Sequence, residues 1–275
     1  MVLTFFICSL SVFAQNNLTE PAQAIVEEGK LLYRSEMASW HGTDVFLRDY
    51  KNLEHVGGYF SYSEKDRSIC IFFSKSEKPK VIGEISFDTI YNINTHTAKV
   101  NFAERDFTDT EAVLFTIRQM ALAEINSDTL FKKYENTSLN LIPLISGDEK
   151  KVYVLTGTQE KNIVYFGNDY LLLFDKYNKL ILKKKLHNNI IPIRYGVIDG
   201  KEIETTVHSH LPESGDFITA TDICTLMLHQ KYTKWKKHIV VSDKYLNIWN
   251  CETNQLMVVP KKQALEEMQK AVNKK

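Results

Sequence analysis

A chain of 275 residues with 44% hydrophobic and 25% charged side chains has the balance of a globular protein able to bury one large core or two modest ones. Its 34 basic and 34 acidic residues cancel, so no global field favours an anionic membrane, and a nucleic-acid partner has no electrostatic support.

The opening MVLTFFICSLSVFAQNN differs in texture from everything after it. Val2 to Phe13 is apolar apart from Thr4, Ser9 and Ser11, and Val12-Phe13-Ala14 before Gln15 fits a small-residue signal-peptidase site. The run is too short to span a bilayer comfortably and lacks the charged n-region of a complete leader. Residues 1–14 are therefore expected to be a cleaved export signal, with a buried N-terminal strand as the competing reading. The mature protein would be periplasmic or extracellular, with no membrane span. Export would remove Cys8 and leave Cys70, Cys224 and Cys251. An odd number of widely spaced cysteines is not a disulfide framework, and buried thiols are the default; a single Cys224–Cys251 bridge is the alternative.

Glu20 to about Asp49 carries Ala24, Val26, Leu31, Leu32 and Met37 near helical spacing, with acidic Glu27 and Glu28 early. Gly57-Gly58 breaks that pattern. The stretches YFSY, SICIFF, VIGEISFD and AKVNFA then predict an antiparallel meander. Glu104-Arg105-Asp106 reads as a solvated charge cluster at a helix entrance. Thr108-Asp-Thr-Glu111 matches a capping box, and the apolar spacing of Ala112 to Ala121 predicts the helix it opens.

Asn136 to Gly147 reads as a linker or irregular crossover. From Lys151 the texture changes to alternating strands (VYVLTG, NIVYFG, YLLLFD, LILKKKL, IIPIRYGV, EIETTVHSH). A helix in TDICTLMLHQKY follows, then strands in HIVVS, YLNIWN and QLMVVP, and a polar helix in KKQALEEMQKAV with Leu265, Met268 and Ala271 on one stripe. The expected organisation is α+β: signal 1–14, an N-terminal helix plus antiparallel-sheet region over 15–147, an α/β domain over 148–262, and a C-terminal helix over 263–275. The sequence specifies no oligomeric state.

Chemistry concentrates in VHSHLPESGDFITATD, Val207 to Asp222. Side chains alternate along a strand, so His208 and His210 share a face, roughly 7 Å apart at Cα, and can tilt toward one zinc ion at about 2 Å. Thr219-Ala-Thr-Asp222 opens the following helix. In one reading Thr219 is its N-cap and Asp222 the acid that closes the cap. In the other, Asp222 completes a His-His-Asp ligand set whose fourth position is left to water. His187 in KKKLHNN is a strand-end surface residue, or an alternative ligand if the 186–191 turn lies beside the site. His229 and His238 read as partners of helix C-terminal carbonyls, and Ser214-Gly-Asp216 as a turn.

His208-Ser-His210, a short loop, Thr219, two residues and Asp222 resemble the JAB/JAMM (MPN) metallopeptidase motif, in which His-x-His is followed by seven residues, Ser, two residues and Asp. The likeness covers roughly Lys151 to Pro260. It implies a JAB/cytidine-deaminase-like domain, zinc on His208, His210 and Asp222, an oxyanion donor at Thr219, and a carboxylate base on an earlier strand, for which Glu160 is the positional candidate. The chain departs from the pattern at three points: eight residues separate His210 from Thr219, Leu211 replaces the proline after the second histidine, and threonine replaces serine. Glu204, about 13 Å along the strand from His208, is a poor base. The function implied is an exported zinc hydrolase acting on a peptide or isopeptide bond in a peptide or protein substrate. The alternative is a non-catalytic periplasmic or surface binding protein that keeps the fold without a base.

Overall fold

The computed structural model describes residues 19–88 and 93–272, so the expected export signal lies outside the described residues. The fold is α+β, with helices interspersed among largely antiparallel sheets. Among the described residues no helix is long and apolar enough to cross a membrane. Two compact units divide the chain: one is Lys30–Pro192, and the other combines the chain up to Gly29 with Ile193 onward. Helix α1 (Glu20–Asp49) runs through the first division, with bounds that match its apolar periodicity.

In the larger unit, β1 (Val56–Glu64), β2 (Arg67–Ser74), β3 (Val81–Phe87) and β4 (Ala98–Asn101) form the expected meander in sequential antiparallel order. Every residue of β2 after Arg67 is buried, which explains why SICIFF is an unbroken apolar run: a strand covered on both faces has no polar side to alternate with. Helix α2 (Asp109–Ser127) starts at the capping box read from sequence, with the Glu111 amide on Thr108 Oγ1 at 3.3 Å and the Thr108 amide on Glu111 Oε2 at 2.8 Å. Its Leu114 joins Phe60, Ile69, Ile71, Phe73 and Val81 of the meander, while Ile117, Ala121 and Ile125 pack on a second sheet.

That second sheet corrects two expectations. Asn136–Gly147 is no linker, because Thr137–Ser146 is strand β5, paired along its whole length with β6 (Glu149–Thr158). Pro143 disguised it. Proline removes a ladder donor and is tolerated at sheet edges, and β5 is the edge of the order β5-β6-β8-β9. This hairpin ties residues on both sides of 147/148 into one unit, so the compact units divide at 29/30 and 192/193 instead. The short strand β7 (Ile163–Gly167) precedes β8 (Tyr170–Phe174) and β9 (Leu180–Lys185), and Val152, Val154, Leu172 and Phe174 form the sheet's core face. Arg105 is likewise not a freely solvated charge. Its guanidinium spans Glu111 at 2.7 and 2.8 Å and Glu84 at 2.7 Å, tying α2 to β3.

Strand β10 (Ile190–Arg194) crosses the second division, and the hairpin of β11 (Val197–Ile198) and β12 (Lys201–Glu202) opens the smaller unit. There β13 (Thr205–Ser209) pairs in parallel with β14 (Lys237–Val241), and β15 (Tyr245–Asn250) and β16 (Gln255–Pro260) continue antiparallel. A parallel pair needs a crossover, and helix α3 (Ala220–Thr233) supplies it. Gly29 of α1 lies directly on α3: a Cβ there would stand 2.7 Å from Ile223 Cβ. Helix α4 (Lys261–Val272) follows β16 and buries Ala264, while Leu265 of the expected stripe is exposed. Cys70, Cys224 and Cys251 are buried thiols, and Cys224 and Cys251 are not bridged to each other.

Candidate metal centre

The parity read from VHSH holds. Along β13 burial alternates, with Thr206 and His208 turned inward and Thr205, Val207 and Ser209 outward. His210 lies one residue past the strand but keeps its phase, because its amide still donates to Val241 O of the neighbouring strand at 2.8 Å. The two imidazoles therefore face the same way, with ring centroids 5.1 Å apart.

The start of α3 brings up the carboxylate. Thr219 is its N-cap: the Asp222 amide donates to Thr219 Oγ1 at 3.1 Å, and the Thr219 amide donates to Asp222 Oδ2 at 2.9 Å. The same carboxylate faces both histidines, with Oδ2 3.3 Å from His210 Nε2 and Oδ1 3.8 Å from His208 Nε2. The carboxylate that closes the helix cap is thus the one that faces both histidines.

Ligand atoms of His208, His210 and Asp222 lie within 4.8 Å of one another, so this cluster could hold a metal ion. The His210–Asp222 spacing suits a tetrahedral ion, while the 3.8 Å from His208 to Asp222 is wider. Two ligands of a tetrahedral zinc at about 2.0–2.1 Å stand roughly 3.3–3.4 Å apart, which is the His210–Asp222 separation. The donor set, two imidazoles and a carboxylate, suits a borderline divalent ion. All three side chains are essentially buried, and an ionised carboxylate removed from water needs a compensating charge or donors. The helix N-terminus and the Thr219 amide supply part of that compensation, and a cation between the ligands would supply the rest.

No family model, characterised protein or solved structure matches this chain. The centre is therefore read from its own geometry.

Two residues outside the expected ligand set, His238 and Thr206, adjoin His208. His238 belongs to β14, is fully buried, and offers Nε2 to His208 Nδ1 at 2.8 Å. Its Nδ1 is 2.7 Å from Thr206 Oγ1. Burial, reinforced by the adjacent His208 ring, holds the His238 pKa well below the usual imidazole range, so the ring is neutral. Only the parallel register of β13 and β14, set by a crossover helix, makes His238 a neighbour of Thr206 and His208.

The remaining candidates have further partners. The Thr219 hydroxyl is 2.8 Å from Asp222 Oδ2 and donates to it within the cap. Glu160 lies between β6 and β7 in the larger unit, where its carboxylate accepts the Tyr165 hydroxyl at 2.6 Å. His187 also belongs to the larger unit; it is buried rather than on the surface, with Nδ1 3.8 Å from Asp169 Oδ2. Glu204 forms an exposed ion pair with Lys236. His229 is half-buried, and desolvation lowers its pKa to about 4.

Proposed function

We propose that this chain is a zinc-binding protein whose ion is held by His208, His210 and Asp222, and that the ion serves hydrolysis of a peptide or isopeptide bond in the manner of JAB/JAMM enzymes. The observation that carries the reading is the convergence of the Asp222 carboxylate on the facing nitrogens of His208 and His210 at 3.8 and 3.3 Å in a buried setting. The strand–helix–strand order around the motif supports the family resemblance, as does the helix opened by Thr219-x-x-Asp222. Bound zinc with three protein ligands lowers the pKa of a coordinated water toward neutrality and polarises a carbonyl.

The chain's own residues have assigned parts in this reading. His208 and His210 would present imidazole nitrogens, and Asp222 its carboxylate. Thr219 is the candidate oxyanion donor, and Glu160 the candidate proton carrier. Residues 1–14 would export the protein, which places its substrate among extracytoplasmic peptides and proteins.

One observation favours the second reading, an exported binding protein that keeps the metal without catalysis. The Thr219 hydroxyl donates its hydrogen bond to Asp222, so it would have to leave the cap to serve an oxyanion. The first experiment measures the zinc content of purified wild-type protein, His208→Ala and Asp222→Ala. Zinc near one equivalent in the wild type and little in the variants is expected, and equal zinc in all three would sink the centre. Assays of the zinc-loaded protein on peptide and isopeptide substrates, with and without chelator, then separate hydrolase from binding protein.

A further inference from the structure

We infer that His238 and Thr206 form a positioning relay that fixes which nitrogen of His208 faces the metal. This rests on the metal reading above and assigns a role to residues outside the ligand set.

The argument follows the protons. A neutral imidazole has one N–H donor and one lone pair, and a metal ligand must turn its lone pair to the ion. His208 has Nε2 toward Asp222, so metal binding there requires its proton on Nδ1. That Nδ1 lies 2.8 Å from His238 Nε2, which must then be the acceptor. A neutral His238 that accepts at Nε2 carries its own proton on Nδ1 and donates it to Thr206 Oγ1 at 2.7 Å. All three side chains are consistent with a single direction of donation, from His208 to His238 to Thr206.

The opposite direction has the Thr206 hydroxyl donating to His238 Nδ1, and His238 Nε2–H donating to His208 Nδ1. His208 would then carry its proton on Nε2, pointed at the Asp222 carboxylate, and could not ligate. Both arrangements hold the same number of protons. The bound ion selects the first, and the relay supplies His208 with a buried acceptor that keeps it there.

Ligating histidines commonly donate their second N–H to a carboxylate, carbonyl or water, and losing that partner costs on the order of 10–100-fold in metal affinity. A histidine acceptor secured by a threonine makes the same demand with different residues. The burial of His238 between the strands leaves its ring little freedom to turn away.

The test uses the full chain and zinc alone. In zinc-loaded wild-type protein, long-range nitrogen–proton NMR should show His208 protonated at Nδ1, and His238 protonated at Nδ1 with a bare, unligated Nε2. Zinc affinity by competition with a chromophoric chelator should fall about 10–100-fold in His238→Phe. It should fall several-fold in Thr206→Val and return in Thr206→Ser. The cobalt-substituted absorption spectrum should shift in Thr206→Val but not in Thr206→Ser, a signature that general loss of packing would not give.

A folded His238→Phe with wild-type zinc affinity overturns the relay, as does a His238 ring protonated at Nε2 in the loaded protein. Should His238→Phe not fold, the wild-type NMR and the Thr206 pair decide. A wild-type protein that takes up no zinc overturns the metal reading itself. Uptake with the wrong tautomers overturns only the relay.

Discussion

Asp222 Oδ2 stands 3.3 Å from His210 Nε2 and also accepts the Thr219 amide at 2.9 Å, so one carboxylate faces the histidine cluster and caps the N-terminus of α3. The two duties separate in a substitution series. Asp222→Asn keeps a side-chain oxygen for the Thr219 amide but loses the charge a zinc ion needs. At a hundredfold excess over Kd, zinc should stabilise the wild type by about 2.7 kcal/mol, or roughly 5–10 °C in Tm. In Asp222→Asn that shift should vanish while the apo Tm stays within about 3 °C of wild type. Asp222→Ala should lose both the shift and the cap, at about 1 kcal/mol for the latter. Differential scanning fluorimetry with and without zinc reads all three, and an intact zinc shift in Asp222→Asn would remove Asp222 from the centre.

Local rules explain what the sequence made legible. The α1 bounds, both capping boxes and the face shared by His208 and His210 follow from periods of 3.6 and 2 and from Thr-x-x-Glu/Asp spacing, all set by neighbours in the chain. What escaped was set by distant partners. His238 faces His208 only because α3 returns the chain in parallel register, and β5 is a strand despite Pro143 only because it lies at a sheet edge. The division into units escaped for the same reason: α1 reads as one helix yet contributes to both. Arg105 looked solvated because its partners, Glu84 and Glu111, come from a strand and a helix on either side of it.

Gly29 sits inside α1, where glycine ordinarily costs about 1 kcal/mol relative to alanine. An added Cβ would stand 2.7 Å from Ile223 Cβ and 3.0 Å from Ala220 O, both on the helix that carries Asp222. Packing should override propensity, so Gly29→Ala is expected to destabilise by about 1–3 kcal/mol instead of stabilising. Urea denaturation of the apo protein checks the sign. A more stable Gly29→Ala would mean that α1 and α3 separate more readily than their contact implies.

Arg105 holds a carboxylate that is otherwise cut off from water. Burial alone would raise the Glu111 pKa, but the fork of Arg105, the Thr108 amide and the Tyr62 hydroxyl bring it below the usual carboxylate value. An acid with a depressed folded pKa stabilises the fold above its unfolded pKa, and that contribution is lost as pH falls through the folded value. Arg105→Ala leaves the Glu111 charge buried and should cost about 3 kcal/mol at pH 7, the lower end for a broken buried pair because Arg105 is partly solvated. The loss should shrink as Glu111 is protonated in acid. Arg105→Lys keeps the charge but not the fork and should recover only part of it. Denaturation at pH 7 and pH 4 tests the pattern, and a cost that does not change with pH would assign the effect to packing.

Glu36 of α1 titrates in the opposite sense. It is buried, accepts Asn140 Nδ2 from β5 at 3.1 Å, and has Arg118 of α2 and Tyr59 of β1 as its electrostatic neighbours. Desolvation outweighs the Asn140 bond and the Arg118 charge, raising its pKa from 4.5 to about 7. The folded state then keeps a proton that the unfolded chain releases near pH 4.5, so stability falls as pH rises between those two values and levels off above about 7. The change between pH 5 and pH 8 is about 2–3 kcal/mol, on the order of 1.4 kcal/mol for each unit of pKa difference. Glu36→Gln preserves the shape and the Asn140 contact without the titration. Its stability relative to wild type should therefore grow by that amount from pH 5 to pH 8, because the ionisations common to both proteins cancel. Parallel curves across that range would show that the Glu36 charge is compensated inside the larger unit, with Arg118 the group placed to do it.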